Sequence, residues 1–270
     1  MMNKLEILEK YKDNEEKLFV AKILDKIRLS KTRNKIVSTD FLDMHQKKLC
    51  EEILNIVKER NYKFYIPCEE LEKYMLIIYP DKYDDIFIYN RFDYSKIVSL
   101  IRITLPNELI GKYSHKDYLG GIMKLGIKRE KIGDILVFDD GADIVINKEI
   151  SEYVLENLAQ LTRFSKASLE EVDILKIRKP KVKKEEIRIT VTSLRLDNIV
   201  SEIIRKSRKE TSQIILNQRV LVNYYVETKN SKIINEKDVI VIRGKGKYII
   251  KDILGETKKG KIAIIVEHYI

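Results

Sequence analysis

Only two cysteines and three histidines occur in the 270 residues. Cys50 and Cys68 are too few for a disulfide framework and are not spaced as C-x-x-C. With His45, His115 and His268 scattered, a zinc site would have to recruit distant carboxylates, so no metal is expected. Glycine is also sparse, at 10 residues. The only G-x-G is Gly244-Lys245-Gly246, late in the chain and on a β tip, where no cofactor loop follows. A P-loop, a G-x-S-x-G elbow and an H-E-x-x-H helix are all missing, and no cofactor or small-molecule substrate is expected. No apolar run approaches the roughly 18 residues of a membrane span. The N-terminal Met1-Met2-Asn3-Lys4-Leu5-Glu6 meets charge at once and has no apolar signal region. A protein of the reducing cytoplasm, with no membrane partner, is expected.

What the chain has is charge, unevenly placed. It is 44% hydrophobic and 35% charged, enough to bury a core, with 52 basic against 42 acidic side chains. Residues 1 to 180 hold 32 basic and 31 acidic side chains, net +1, whereas residues 181 to 270 hold 20 and 11, net +9. Composition drift in a Lys-, Ile- and Asn-rich chain would not respect such a boundary. The C-terminal excess therefore reads as a polyanion-binding surface, with a solvated face as the alternative.

The fold class reads as α+β. From Glu15 to Ile27 the apolar residues recur at three and four, the helix period, until Lys31-Thr32-Arg33-Asn34-Lys35 breaks the pattern. A second helix runs through Leu49, Ile53, Leu54 and Val57. Tyr62–Ile66 and Met75–Tyr79 alternate as strands and close a mixed N-terminal unit over residues 1–80. In 81–180, strand Ile97–Ile103, helix His115–Leu125, a hairpin of Asp134–Phe138 and Ala142–Ile146, a helix from Lys148 to Leu161 and a last strand within Ser165–Val172 give β-α-β-β-α-β. That is the split arrangement of ferredoxin-like and RNA-recognition-motif folds. Residues 173–186 are charged and aperiodic and read as a linker.

Residues 187–270 form the third part. Leu194-Arg195-Leu196-Asp197 opens a helix with Ile199, Val200, Ile203 and Ile204 on one face. It runs into Lys206-Ser207-Arg208-Lys209 and a second helix carrying Gln213, Ile214, Ile215 and Leu216. Ser207 is placed to cap that helix, whose amides would point with Arg208 and Lys209 toward a phosphate. Arg219–Asn223 and Val239–Arg243 are strands, and Gly244-Lys245-Gly246-Lys247 is a flexible basic tip. Arg195-Leu196-Asp197, Ser207-Arg208, Val220–Asn223 and Asp238-Val239-Ile240 together resemble the S-four RNA-binding domain. The likeness departs near Gln218 and at Tyr224 and Lys237, where members of that family usually or often carry glycine.

Asp40-Phe41-Leu42-Asp43, Ser114–Gly121, Leu125–Val137 and Gly255–Lys261 extend the likeness over nearly the whole chain, which resembles the YlmH family. That resemblance implies a cytoplasmic bacterial RNA-binding protein of ribosome-associated quality control. Its parts would be a helical N-terminal part, an RNA-recognition-motif-like middle domain and a C-terminal S-four domain. Its partners would be ribosomal RNA and tRNA on a split large ribosomal subunit with peptidyl-tRNA, and it would support alanine tailing of the stalled chain as a monomer.

The RNA-facing residues are expected to be Arg195, Lys206, Arg208, Lys209, Arg219, Arg243, Lys245 and Lys247 for charge, and Ser207, Gln213 and Asn223 for hydrogen bonds. Asp197 would orient Arg195 or neighbouring amides. A secondary contact is expected at His115, Lys116, Lys128, Arg129 and Lys131, since residues 112 to 131 hold six basic and two acidic side chains. His115 and Asp117 lie i and i+2 on a helix and face apart, which favours a capping or RNA-contacting role over acid–base catalysis. Of the strand Asp134–Phe138, only Phe138 is aromatic, so base stacking on that sheet is not expected. No catalytic residue is assigned. The rival reading is an RNA-modifying enzyme, of pseudouridine synthase or methyltransferase type, targeted by its S-four domain.

Overall fold

In the computed structural model, residues 3–179, 184–257 and 260–269 are described. The chain is mixed α+β and divides into two compact units, Met1–Pro180 and Lys181–Ile270.

Unit 1 begins with α1 (Lys4–Leu8), α2 (Asn14–Arg33), β1 (Val37–Ser38), α3 (Met44–Val57), β2 (Tyr62–Tyr65) and β3 (Met75–Ile78). Asp13 caps α2 by accepting from the Glu15 and Glu16 amides, and an Asp43–Gln46 capping box starts α3. The helix ends inside the segment 31–35 that the sequence marks as a break. The buried stripe of Val20, Ile23 and Ile27 continues through Ser30, whose hydroxyl donates to the Lys35 carbonyl, and only the left-handed Asn34 ends the helix. Lys31 and Arg33 suit the negative end of the helix dipole and so do not interrupt it. The three strands pair antiparallel in the order β1-β3-β2.

After α4 (Asp84–Ile88) come β4 (Val98–Thr104), α5 (His115–Lys124), β5 (Ile132–Phe138), β6 (Gly141–Asn147), α6 (Ser151–Leu158) and β7 (Ser168–Val172). They build an antiparallel sheet in the order β5-β6-β4-β7. Phe138 pairs with Gly141, leaving Asp139-Asp140 as a two-residue turn. Gly141 is obligatory there: its φ is 149°, and a Cβ would lie 1.8 Å from the Ile103 carbonyl oxygen.

Both faces of this sheet are covered. Ile101, Ile103, Ile144 and Ile146 pack under α5 and α6 with Tyr118, Val154 and Phe164. On the other face, Leu100, Leu136 and Val145 meet Phe41, Leu71 and Met75 from the N-terminal elements, so every residue of β6 is buried. The stretch 173–179 also crosses that face. Arg178 lies 4.1 Å over the Phe138 ring and binds Asp143, which is 0% exposed and is also gripped by Arg102. Of the linker expected at 173–186, residues 180–183 lie outside the described residues. The N-terminal flank is a 3-10 turn, Ile174–Lys176, and the other flank starts a strand.

Unit 2 contains β8 (Lys184–Val191), α7 (Leu196–Ile204), α8 (Arg208–Leu216), β9 (Val220–Val222), β10 (Tyr225–Val226), β11 (Val239–Ile242), β12 (Gly246–Glu256) and β13 (Ile262–Tyr269). Its six strands run β10-β9-β11-β12-β13-β8. Leu196, Ile199 and Val200 of α7 and Ile215 of α8 pack with Val220, Ile240, Ile250 and Ile264 of the sheet in one core.

Gln218, Tyr224 and Lys237 all adopt left-handed backbone, with φ of 57°, 70° and 68°. The turns thus keep a geometry that favours glycine while side chains occupy it. Lys237 is exposed and makes no ion pair among the described residues. Lys237→Gly is therefore expected to raise the stability of unit 2 by about 0.5–1 kcal/mol in a denaturant titration, and Lys237→Ala is expected to give no gain.

Candidate nucleic-acid interface

The two helices of unit 2 present its basic groups. Arg195 precedes α7, and its guanidinium donates to both Asp197 oxygens, from Nε at 3.0 Å and from Nη2 at 2.8 Å. Asp197 is nearly buried, and Arg195 holds its carboxyl below the usual range. It also accepts from the Asn198 amide. Asp197 orients Arg195 in this structure, leaving the outer side of the guanidinium to solvent.

The α7–α8 turn is built by its own polar groups. Arg205 closes α7 in left-handed conformation, and the Ser201 hydroxyl donates to the Lys206 carbonyl at 2.6 Å. Ser207 caps α8 as expected from the sequence, in a reciprocal box with Glu210: the Glu210 amide donates to Ser207 Oγ, and the Ser207 amide donates to Glu210 Oε2. The expected phosphate seat on the α8 amides is altered by this box. The Glu210 carboxylate occupies the helix start, and Lys206, Ser207 and its hydrogen bonds pull its pKa down to about 2. Lys206 is paired with Glu210 at 2.8 Å. The amides at the start of α7 are likewise taken, Leu196 by the Lys232 carbonyl and Asp197 by the Asn230 carbonyl.

Arg208 is positioned, because its Nη2 donates to Thr192 Oγ1 at 2.9 Å, and that hydroxyl also accepts from Asn198 Nδ2. Lys209 and Gln213 are exposed on α8. A second group sits on the β11–β12 hairpin, where Arg243, Gly244 and Lys245 form the turn. The tip expected to be flexible is tied down: the Lys245 amide donates to Ile242, the Tyr248 hydroxyl donates to the Lys245 carbonyl, and Arg219 Nη2 donates to the Arg243 carbonyl. Lys247 points to the Tyr269 ring, 4.7 Å away. Asn223 serves the neighbouring turn, since its amide group donates to Asp238 and its oxygen accepts from the Val239 amide.

Among the described residues, Arg205, Arg208, Lys209, Arg243 and Lys245 are exposed and in no ion pair. Sequence reasoning assigned neither Arg205, Thr192 nor Lys261 to the site. With Thr190, Asn198, Ser201 and Arg208, Thr192 and Lys261 line a polar hollow of about 60 Å³. Thr190 and Thr192 stand i and i+2, on one side of an extended chain, which was the available signal.

The secondary group in unit 1 is less uniform. Lys116 and Lys128 are exposed without ion pairs among the described residues, whereas Lys131 binds Asp40 at 2.8 Å and Glu149 at 2.7 Å. Arg129 donates to the Ile132 carbonyl. Desolvation by the surrounding protein and the neighbouring Arg129 push the His115 pKa down. Asp117 forms a capping box with Ser114 and an ion pair with Arg163.

An open cleft of about 810 Å³ in unit 1 is lined by β2, the loop 90–95 and the stretch 171–175. Its carboxylates are already engaged, Glu171 by Ser99 and Lys148, Asp93 by Ser95 and Asp173 by the Leu175 amide. Cys50 is buried and burial pushes its thiol up, as it does for half-buried Cys68.

Comparison with known proteins bears on these surfaces. Residues 91–176 match the family model described as "Putative RNA-binding domain in YlmH". Over 255 residues the chain is 28% identical to the "Ribosome-associated protein quality control protein P2" of Bacillus subtilis (strain 168), covering 94% of this chain and 95% of that protein. A solved structure, "Cell division protein ylmH from Streptococcus pneumoniae", is 26% identical with a TM-score of 0.46, covering 62% of this chain and 98% of that one.

Proposed function

We propose that this chain is a member of the YlmH family, on the match of residues 91–176 and the likeness over most of its length, and that it is a non-enzymatic RNA-binding factor of ribosome-associated quality control. It would recognise folded ribosomal RNA and tRNA on the split large subunit carrying peptidyl-tRNA and support alanine tailing there. The observation that carries the reading is the group of exposed cations in no ion pair among the described residues that the helix pair and the hairpin tip of unit 2 present, Arg205, Arg208, Lys209, Arg243 and Lys245, in the part of the chain that holds nearly all of the net charge. Helix pair, hairpin tip and left-handed turns support assigning unit 2 as an S-four domain. The β-α-β-β-α-β order and the strand order β5-β6-β4-β7 support an RNA-recognition-motif-like middle domain. Phosphates would meet these cations, with Arg195, Arg219 and Gln213 beside them, so that shape rather than base sequence is read. Lys116 and Lys128 would add a weaker contact from unit 1.

The rival, an RNA-modifying enzyme, needs convergent polar groups in a pocket. The carboxylates of the unit 1 cleft beside β2 are instead hydrogen-bonded to neighbouring side chains or amides, and neither cysteine is poised as a thiolate. Co-sedimentation of the full chain with split large subunits carrying peptidyl-tRNA, against small subunits, tests the proposal. Retention on the large subunit alone is the expected result. No retention, together with a new modification in RNA incubated with the protein and read by mass spectrometry, would establish the rival.

A further inference from the structure

Between α5 and the loop Leu161–Phe164, unit 1 has an open cleft of about 710 Å³. Its floor holds two consecutive helical glycines, and they differ. Gly121 is buried, and a Cβ there would lie 2.4 Å from Phe164 Cε2 and 3.3 Å from Leu158 Cδ1, so the packing of the helices requires it. Gly120 is exposed, and a Cβ there would meet nothing within 4 Å. Glycine is among the poorest helix formers, so Gly120 weakens α5 while no neighbour in the chain calls for a bare backbone.

Lys116 and Lys124 lie one turn before and one turn after Gly120, on the same stripe of α5 and about 12 Å apart along its axis. Both are exposed, and neither is in an ion pair among the described residues. Arg163 stands at the cleft edge, half exposed and paired with Asp117. A bare backbone flanked by two uncompensated cations suits a chain that carries regularly spaced negative charge and must come close.

We propose that this stripe is a track for the sugar-phosphate backbone of RNA, with phosphates on Lys116 and Lys124 and the ribose against Gly120. The inference rests on the reading that this chain binds RNA, and it says where unit 1 does so. The four-stranded sheet is closed on one face by α5 and α6 and on the other by the N-terminal elements and the stretch ending in Arg178. Contact by residues 91–176 therefore falls to the outer side of the helices, and it carries no base readout.

The test measures binding of the full chain to purified large ribosomal subunits at about 0.1 M salt, with thermal unfolding followed in parallel. Gly120→Ala is expected to raise the unfolding midpoint by about 2–4 °C and yet to weaken binding at least threefold. A merely structural glycine would not separate the two readouts. Lys116→Glu with Lys124→Glu is expected to weaken binding about tenfold and to flatten the salt dependence by about 1.4–1.8 in log–log slope. The same charge change at the exposed Lys10 and Lys12 is expected to have little effect. If Gly120→Ala and the Lys116/Lys124 pair bind like the wild type while Arg208→Glu with Lys209→Glu loses binding, the track is wrong and RNA binding by unit 2 stands. If the wild type does not bind, both are wrong.

Discussion

Asp143→Asn is expected to destabilise unit 1 by about 3–5 kcal/mol, the loss typical of breaking a buried ion pair from one side. The carboxylate is fully buried and accepts five hydrogen bonds: Arg102 Nε at 2.9 Å and Nη2 at 2.8 Å, and the Arg178 amide, Nε and Nη2 at 3.0, 3.0 and 2.8 Å. Asparagine would remove the charge that balances two guanidinium groups and turn one acceptor into a donor facing them. Arg102 also donates to the Lys176 carbonyl, and Arg178 also binds Asp140, so the loss would free the stretch 173–179 from the sheet. Denaturant titration measures the energy, and faster tryptic cleavage after Lys176 or Arg178 reports the release. A change below about 1 kcal/mol would contradict the assignment.

The same clamp sets a pH dependence. Burial alone would raise the Asp143 pKa, but the hydrogen bonds from Arg102 and Arg178 outweigh it and hold the group below the ordinary carboxylate value. A depressed folded-state pKa means that the stabilisation is fully present above the unfolded value, near 3.9, and is lost as pH falls through the lowered one. Acid unfolding of unit 1 should therefore shift to higher pH in Asp143→Asn.

Arg208→Glu with Lys209→Glu is expected to weaken binding to large subunits by about 10- to 100-fold near 0.1 M salt. Each phosphate contact contributes about 0.7–0.9 to the log–log salt slope, so two are lost and two repulsive charges are added. Arg208 is the more directional of the pair because Thr192 holds its guanidinium, and Thr192→Val should cost binding without changing net charge. Lys206→Ala should cost less than either, since Lys206 is already paired with Glu210. Equal binding by the double variant and the wild type, measured by co-sedimentation, would remove α8 from the interface.

Much of this architecture was legible because the helices and strands follow their periods and the turns carry their signals. The Asp139-Asp140-Gly141 hairpin, the Ser207 cap and the Asp197–Arg195 pairing all rest on contacts within about three residues, and these were read correctly. Non-local partners were not legible. Nothing near Asp143 announces Arg178, 35 residues on, whereas the Glu210 carboxylate at the start of α8 lies three residues from Ser207, the spacing of a capping box. The end of α2 falls at Asn34, inside the break 31–35 that the sequence marks, where left-handed backbone closes the helix. Thr192 was passed over because its role exists only through Arg208, 16 residues away. Gln218, Tyr224 and Lys237 show the converse: the sequence departs from the glycine pattern while the backbone keeps the left-handed turn.

The central claim is that unit 2 binds RNA through phosphate contacts from Arg205, Arg208, Lys209, Arg243 and Lys245. The most direct measurement is the affinity of the full chain for purified large ribosomal subunits as salt rises from about 0.05 to about 0.2 M. Five contacts predict a log–log slope of about −3.5 to −4.5, and hence about 10²- to 10³-fold weaker binding across that range. A slope flatter than about −1, or binding that survives the highest salt unchanged, would contradict the account.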